Sequence, residues 1–197
     1  MNITTDMVKQ LREMTGAGIL DCKKTLEATN GDMEKAAAIL YKKGLAQAAK
    51  KADREAKDGV IGVYVHNTQK LVGLVELNCE TDFVSRLDEF RALARDLAMQ
   101  VAGYHPLYLR VEDIPEEVLL AQRQLIRAEL ADSSKSEGEK GLLVESRLKK
   151  WFEEVVLLEQ HFFRDENKTV RDVLNEAIAK FGENVVLRRF VRFELGE

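Results

Sequence analysis

The hydrophobic period of this chain changes twice, and these changes constrain the fold more than any other feature. Up to about residue 44, apolar residues recur at the three- and four-residue spacing of amphipathic helices. Between Val60 and Leu77 the pattern becomes two β-branched runs around the polar segment 66–70, which predicts an antiparallel hairpin. Helical spacing returns from Val84 onward. The sequence therefore predicts an α+β fold, with helices packed on a three-stranded antiparallel sheet.

The start of the chain predicts a bundle of three short helices. A threonine at position 4 or 5 caps the first helix, the second ends at Asn30, and the third begins at an Asp32 cap and ends at Gly44. This arrangement resembles the ubiquitin-associated type of bundle. Its core is thin, so we expect a marginally stable docking head. The first helix can place Ile3, Val8, Leu11 and Met14 on one face, the second carries Ile19, Cys22 and Leu26, and the third is expected to bury Ala36, Ile39 and Leu40.

We expect three parts along the chain: the bundle at 1–45, a helical connector at 46–58, and an α+β core and dimerisation domain at 59–197. The connector is rich in alanine and in charges of both signs, which predicts a solvated helix. In the core, one long amphipathic helix follows Val84. Further helices are predicted at about 116–130, 142–158 and 170–181, with a disorder-prone divider at 132–141.

Both faces of the predicted sheet are apolar. In the hairpin, Ile61, Val63 and Val65 alternate with Val60 and Tyr64. The last strand, 184–195, is expected to place one set of apolar side chains on a single face: Val185, Leu187, Val191, Phe193 and Leu195. If helices cover one face of the sheet, another surface must cover the second face. We therefore expect a homodimer that buries it.

Composition argues against several classes of protein. The chain has 197 residues, 45% of them hydrophobic, so it can build a real core. Its 30 basic and 34 acidic side chains nearly cancel, which argues against a protein held mainly by nucleic acid or an anionic membrane. Cys22 and Cys79 are far apart, and we expect both to be buried. Without a recognisable signal segment, the chain is expected to be cytoplasmic.

The segment Glu76–Arg86 is the most informative for function. A strand is expected to end here in a polar turn, yet Asp82 is followed by the large ring of Phe83. One interpretation is a helix start, capped by Thr81 or Asp82, with Phe83 folded back onto the core. The other is a solvent-facing ring shaped to enter another protein.

These eleven residues match, at every position, the signature of the elongation factor Ts family, the guanine-nucleotide exchange factors of elongation factor Tu. Leu11–Leu26 resembles the amino-terminal motif of the same family and departs from it at Thr25. His161 stands where the family usually has proline. Other segments similar to the family are 50–53, 58–61, 147–150, 157–160 and 188–190.

The resemblance implies a translation elongation factor that releases GDP from elongation factor Tu without covalent chemistry and without a cofactor. It implies contact with the partner through a tip of Thr81, Asp82, Phe83 and Val84. Our hypothesis is that Phe83 spreads helices of the partner and disturbs its Mg²⁺ site, while Asp82 adds a polar or electrostatic push there. It also implies an N-terminal docking surface of Arg12, Ile19 and Leu20. Short members of the family are similar to a half molecule that pairs with itself, which again predicts a homodimer. We expect this chain to work in a bacterial cytosol.

The sequence also allows several other interpretations. Glu80 and Asp82 could form an acid–base pair or bind a metal, but scattered histidines make solvated carboxylates the better interpretation. The glycines of 16–18 lack the rest of a phosphate-binding loop. Basic residues between 42 and 57 alternate with acids and lack aromatic neighbours, which disfavours RNA binding. An adaptor that binds ubiquitin-like or ribosomal partners shares the predicted fold and stays open.

Overall fold

The computed structural model describes residues 3–131 and 135–197 and confirms the predicted α+β class. The helices are α1 (Thr5–Thr15), α2 (Ile19–Ala28), α3 (Met33–Lys51), α4 (Asp82–Ser85), α5 (Asp88–Tyr104), α6 (Glu116–Glu129), α7 (Glu137–Val155) and α8 (Val170–Phe181). The strands are β1 (Asp58–Val65), β2 (Leu71–Cys79), β3 (His161–Phe162), β4 (Asp165–Thr169) and β5 (Val186–Glu194). Short 3-10 turns lie at Val111–Asp113 and Leu157–Glu159.

Helices α1 to α3 form the predicted bundle, and α1 and α3 begin at the expected caps. The Thr4 hydroxyl accepts a hydrogen bond from the Met7 amide, and Asp32 accepts one from the Lys35 amide. Gly16 ends α1 with φ 66°, a left-handed conformation that glycine adopts without strain. The buried residues of the bundle are Val8, Leu11, Cys22, Leu26, Ala36 and Leu40.

Ile39, which was expected to be buried, is exposed instead, as are Met14 and Ile19. Helical spacing identified the apolar residues correctly, but a bundle with three short helices encloses only a narrow stripe of each one. These side chains border that stripe. The prediction that Ile39 is buried was therefore wrong.

Helix α3 continues through Gly44, so the predicted end at that residue was wrong. A glycine inside a helix costs about 1 kcal/mol relative to alanine. The alanine-rich segment that follows favours helix, and α3 also packs along α8, where the Gly44 position faces Ala179. Ala48 is buried in the largest hydrophobic cluster of the described residues, which includes residues of β2, α5, α8 and β5 and which we call the main core. The segment predicted as a solvated connector therefore contributes to packing.

The main sheet has the order β1-β2-β5, with antiparallel neighbours, and α5 covers one face. Two strand glycines let α5 approach closely. A Cβ atom on Gly62 would lie 2.2 Å from the carbonyl oxygen of Ala94, and one on Gly73 would lie 2.1 Å from that of Ala98. Because both carbonyls belong to the helix backbone, a side chain at either position would force the helix away from the sheet.

A β-bulge in β5 corrects the predicted alternation. Glu76 pairs with Arg189, but the next residue, Leu77, pairs with Leu187. The extra residue reverses which face the side chains occupy. Val185 and Leu187 are consequently buried under the helices, rather than sharing a face with the exposed part of the strand. The residues that form what we name the outer sheet face are Ile61, Val63, Val65, Val191, Phe193 and Leu195, all exposed.

The remaining helices differ from prediction mainly at their ends. The expected long helix after Val84 is divided into α4 and α5, because Leu87 between them has extended backbone and is 44% exposed. Residues 137–141, predicted as disorder-prone, form the first turns of α7, stabilised by a capping box at Ser136. Residues 132–134 of that prediction lie outside the described residues. The expected burial of Cys22 and Cys79 is confirmed.

Candidate partner-binding site

The tip segment, Thr81–Val84, lies where β2 gives way to α4. Thr81 occupies the position before the helix with extended backbone. Phe83 is 81% exposed, whereas the neighbouring Val84 is only 6% exposed and belongs to the main core. The interpretation in which Phe83 folds back onto its own core is therefore wrong. One turn of helix holds an aromatic ring in solvent while the next residue anchors that turn.

The carboxylate of Glu183 holds the base of the tip segment. One oxygen accepts hydrogen bonds from the backbone amides of Glu80 and Thr81, both at 3.0 Å. The other accepts the Thr81 hydroxyl at 2.5 Å. Glu183 directly follows Gly182, which ends α8 with φ 75°, so the end of that helix places the carboxylate beside the end of β2. We call this set of three hydrogen bonds the Glu183 clamp.

A reciprocal contact runs from Glu80 to the start of β5. The Glu80 carboxylate accepts the Asn184 amide at 2.7 Å and lies 3.5 Å from an Arg54 nitrogen. The side chain of Asn184, which is 2% exposed, donates to the carbonyl oxygen of Arg54 at 2.7 Å. Interpreting Glu80 as a solvated surface carboxylate was therefore wrong. It joins the segment after α3 to the base of the tip.

Asp82, by contrast, remains near the surface. Its carboxylate pairs with Arg86 one turn later at 2.8 Å, and its side chain is 47% exposed. This is the arrangement of an ordinary exposed helix pair, which stabilises weakly and is easily exchanged for another partner. The tip segment therefore presents an apolar ring and a carboxylate side by side.

Below the tip, two ionisable groups have shifted pKa values. Burial raises the pKa of the Cys79 thiol to about 11, with a further contribution from the negative charge of Glu183. The thiol thus stays protonated at neutral pH and contacts the Thr81 carbonyl oxygen at 3.2 Å. The polar side chain of Ser85 and the Gly59 amide, which donates to the Asp58 carboxylate at 2.7 Å, lower the pKa of Asp58. The Ser85 hydroxyl donates to the Asp82 carbonyl oxygen at 3.2 Å, within α4.

The predicted docking residues lie on the bundle, apart from the tip on the core. Ile19 and Leu20, at the start of α2, are 60% and 64% exposed, and Arg12 on α1 is exposed as well. Two neighbouring apolar side chains in solvent at a helix start suit contact with another molecule. The structure thus keeps the two predicted sets of site residues on separate parts of the molecule.

A joint between α3 and α8 connects those parts. Tyr41 donates a hydrogen bond to Asp172 at 2.5 Å, and this bond, with burial, raises the pKa of Tyr41 to about 12. Burial alone would raise the pKa of Asp172, but hydrogen bonds from Tyr41 and Thr169 outweigh that effect and lower it. Beside this bond lies a cavity of ≈ 310 Å³, lined by residues of both helices and of the turn at 16–18.

Residues 3–131 and 135–197 contain neither a membrane-spanning helix nor a cluster of metal ligands. Across these ranges, no helix combines the length and apolar character needed to cross a bilayer. In the same part of the chain, no three His, Cys, Asp or Glu side chains are grouped as ligands for a metal ion. Glu80 and Asp82, weighed as a metal or acid–base pair, instead contact Asn184, Arg54 and Arg86.

Sequence reasoning found the exposed ring but missed Glu183, Asn184 and Arg54. The contacts that these residues make at Glu80 and Thr81 join positions up to 104 apart along the chain. Such contacts leave no local period or motif. The only available signal was a polar pair, Glu183–Asn184, placed between a helix end and a buried strand.

Comparisons with known proteins agree with the signatures in the sequence. A family model described as "Elongation factor TS" matches residues 46–197, and one described as "UBA-like domain" matches residues 4–48. Elongation factor Ts of Carboxydothermus hydrogenoformans is 55% identical over 195 residues, 99% of this chain and 90% of the relative. The protein of that name from Thermotoga maritima is 53% identical over 197 residues, 100% of this chain and 98% of the relative. The chain therefore belongs to the elongation factor Ts family.

Proposed function

We propose that this protein promotes GDP release from elongation factor Tu during translation elongation by inserting the tip segment into the partner's nucleotide-binding domain. The observation that carries the proposal is the Phe83 ring, 81% exposed beside the carboxylate of Asp82 on one short turn of helix. Burial of an exposed aromatic ring by another protein lowers the free energy and so favours binding. Membership of the elongation factor Ts family supports nucleotide exchange as the outcome of that contact.

The ring supplies only part of the required free energy. A thousandfold faster release requires a barrier lower by about 4 kcal/mol. Burying one phenylalanine yields on the order of 1.5–3 kcal/mol. In our proposal Phe83 spreads helices of the partner, and Asp82 disturbs the groups that hold its Mg²⁺. Asp82 can leave Arg86 for this purpose, because their pair is half exposed and therefore weak.

The bundle supplies binding free energy that offsets this distortion. Arg12, Ile19 and Leu20 form the proposed docking surface, and Thr81 and Val84 complete the contact at the tip. An exchange factor must bind the empty partner better than the GDP-loaded one, since equal binding would shift no equilibrium. By reciprocity, GDP must weaken the hold of this protein on its partner to the same degree. The proposed contacts are with protein, with no direct contact to the nucleotide.

We also propose that the protein works as a homodimer through the outer sheet face. Six apolar side chains from β1 and the β5 end are exposed together there, among them Phe193 and Leu195, each 70% exposed. In a twofold dimer the same patch meets itself, so an apolar patch matches its copy without needing a complementary charge. The three-part division at 1–45, 46–58 and 59–197 fits this proposal, with the last part pairing and the first docking.

Stopped-flow release of a fluorescent GDP from elongation factor Tu tests the proposed function. With this protein added, we expect release to accelerate in a concentration-dependent and saturable manner, with substoichiometric amounts sufficing for complete turnover. Binding to elongation factor Tu at an unchanged release rate would reject exchange and favour the adaptor function.

Sedimentation equilibrium of this protein alone tests the proposed homodimer. The wild-type protein should sediment as a dimer, and Phe193→Asp should yield monomers.

A further inference from the structure

We propose that Glu183 is a positioning residue for nucleotide exchange: its carboxylate fixes the direction in which Phe83 leaves the core. This inference rests on the proposed function and adds a residue outside the tip segment. Glu183 lies 102 positions from Thr81 in sequence, yet its two oxygens accept three hydrogen bonds from Glu80 and Thr81. Hydrogen bonds to an ionised acceptor are stronger than neutral ones, so this is a firm attachment.

The tip needs such an attachment because its helix cannot hold a direction by itself. Helix α4 has four residues, and a single turn of helix is unstable in isolation. Val84 anchors the far side of the turn in the main core. One anchor leaves the turn free to rotate about it. The Glu183 clamp supplies a second anchor at the residues immediately before the turn, and two anchors define a direction.

The attachment of Glu183 itself is rigid. Gly182 ends α8 on one side, and on the other side Asn184 is almost wholly buried, with its side chain bound to the backbone after α3. The Asn184 amide is held in turn by Glu80. Each segment therefore fixes the other: Glu183 binds the backbone before the tip, and Glu80 binds the backbone after Glu183. Because these two contacts hold the backbone before α4, the Phe83 ring keeps its direction when it meets a partner.

The clamp is strongest with a carboxylate. All three of its partners are hydrogen-bond donors, and an ionised carboxyl group accepts at both oxygens. In Glu183→Gln, the remaining oxygen can still accept the two backbone amides, but the NH₂ group can bond to the Thr81 hydroxyl only as a donor, and the negative charge is lost. The substitution preserves size, so it weakens the clamp with little change in packing. Thr81→Val removes one of the three hydrogen bonds, and Thr81→Ser retains it.

The test compares these variants in stimulated release of fluorescent GDP and in amide hydrogen exchange. For Glu183→Gln we expect the maximal release rate at saturating factor to fall about tenfold, equivalent to about 1.4 kcal/mol of lost barrier lowering. The concentration giving half of that rate should change less than twofold. Thr81→Val should show a smaller loss, and Thr81→Ser should restore the wild-type rate. The amides of Glu80 and Thr81 should exchange faster in Glu183→Gln.

Glu176→Gln is the matched control. Glu176 lies on α8 and pairs with Lys168 at 2.8 Å, away from the tip, so its loss should affect stability without affecting the maximal rate. A wild-type maximal rate in Glu183→Gln, despite faster amide exchange, would overturn the positioning role and leave the proposed function standing. So would a loss confined to affinity. If Glu183→Gln does not fold, an unchanged maximal rate in Thr81→Val decides against the clamp. No stimulation by the wild-type protein would overturn both proposals.

Discussion

The bundle and the sheet-bearing core both present apolar side chains to solvent, yet their buried hydrophobic cores differ in size. Among the described residues, the bundle encloses six buried hydrophobic residues and the main core nineteen. Ile19 and Leu20 are carried by the small unit, whereas Phe83 is carried by the large one. The base of the tip is held by a partly buried polar network. The bundle contacts α8 largely through α3, including the hydrogen bond from exposed Tyr41.

This difference suggests a division of labour. A thin, separately packed bundle can adjust its position and supply affinity, while distortion of a partner requires a rigid mount. Affinity should therefore be sensitive to substitutions on the bundle surface, and maximal exchange rate to substitutions at the tip and its supports. The following substitutions test that difference between bundle and core.

Gly73→Ala should have the largest effect. The new Cβ atom would lie 2.1 Å from the Ala98 carbonyl oxygen and 3.0 Å from the Ala102 amide nitrogen, so α5 must move off the sheet. Overpacking of this kind typically costs about 1–3 kcal/mol, and a clash with two backbone positions of α5 should cost about 3 kcal/mol or more. Urea unfolding followed by circular dichroism measures the loss. An unchanged unfolding midpoint would mean that the helix and the sheet are loosely packed.

Arg12→Glu should come next and should affect binding only. Reversing a charge in a contact surface weakens binding by about tenfold to a hundredfold. We expect that loss in the affinity for nucleotide-free elongation factor Tu, with the maximal release rate retained. Lys9→Glu, an exposed charge reversal on the same helix, is the control. Equal losses in the two variants would indicate a general electrostatic effect and would remove Arg12 from the docking surface.

Tyr41→Phe should weaken the joint between bundle and core by about 1 kcal/mol, since the lost hydrogen bond is to a charged group but is partly exposed. The raised pKa of Tyr41 means that its contribution is complete below pH ~10 and is lost as pH rises toward about 12. The lowered pKa of Asp172 means that its contribution is present above pH ~4 and is lost in acid. Denaturation of both proteins across this range should show a constant difference between pH ~5 and ~9. A difference independent of pH at both ends would contradict the bond.

Gly44→Ala should have the smallest effect and the opposite sign to Gly73→Ala. Gly44 is inside α3, and a Cβ atom there would meet the Ala179 side chain at 3.6 Å, an ordinary contact. Replacing a helical glycine by alanine stabilises by about 0.5–1 kcal/mol. Thermal unfolding should show a slightly higher midpoint. A lower midpoint would show that the bundle and α8 are too tightly packed to accept a methyl group.

Sequence reasoning succeeded where a local signal determines structure. The caps at Thr4 and Asp32, the hairpin β1–β2 and the end of α8 at Gly182 all follow from residues adjacent in the chain. The exposed ring of Phe83 was also predictable, because an aromatic residue stood where a polar turn was expected.

The rest depends on tertiary structure. The bulge near Arg188 reverses the face of half of β5, and helix propensity with packing against α8 carries α3 past Gly44. Neither effect appears in the residue pattern of one segment. The β3–β4 hairpin, which includes His161, was also not predicted, since β3 has only two residues. The Glu183 clamp joins the ends of distant elements, so the sequence shows which residues form the tip but not what holds it.

The most direct test of the central claim is the effect of Phe83→Ala on stimulated GDP release at saturating factor. Leu142→Ala is the matched control, because Leu142 is a similarly exposed apolar residue, 75% exposed on α7, outside the proposed contacts. The account predicts that Phe83→Ala lowers the maximal rate at least tenfold, with a smaller loss of affinity for nucleotide-free elongation factor Tu, and that Leu142→Ala behaves as wild type. A wild-type maximal rate in Phe83→Ala would contradict it.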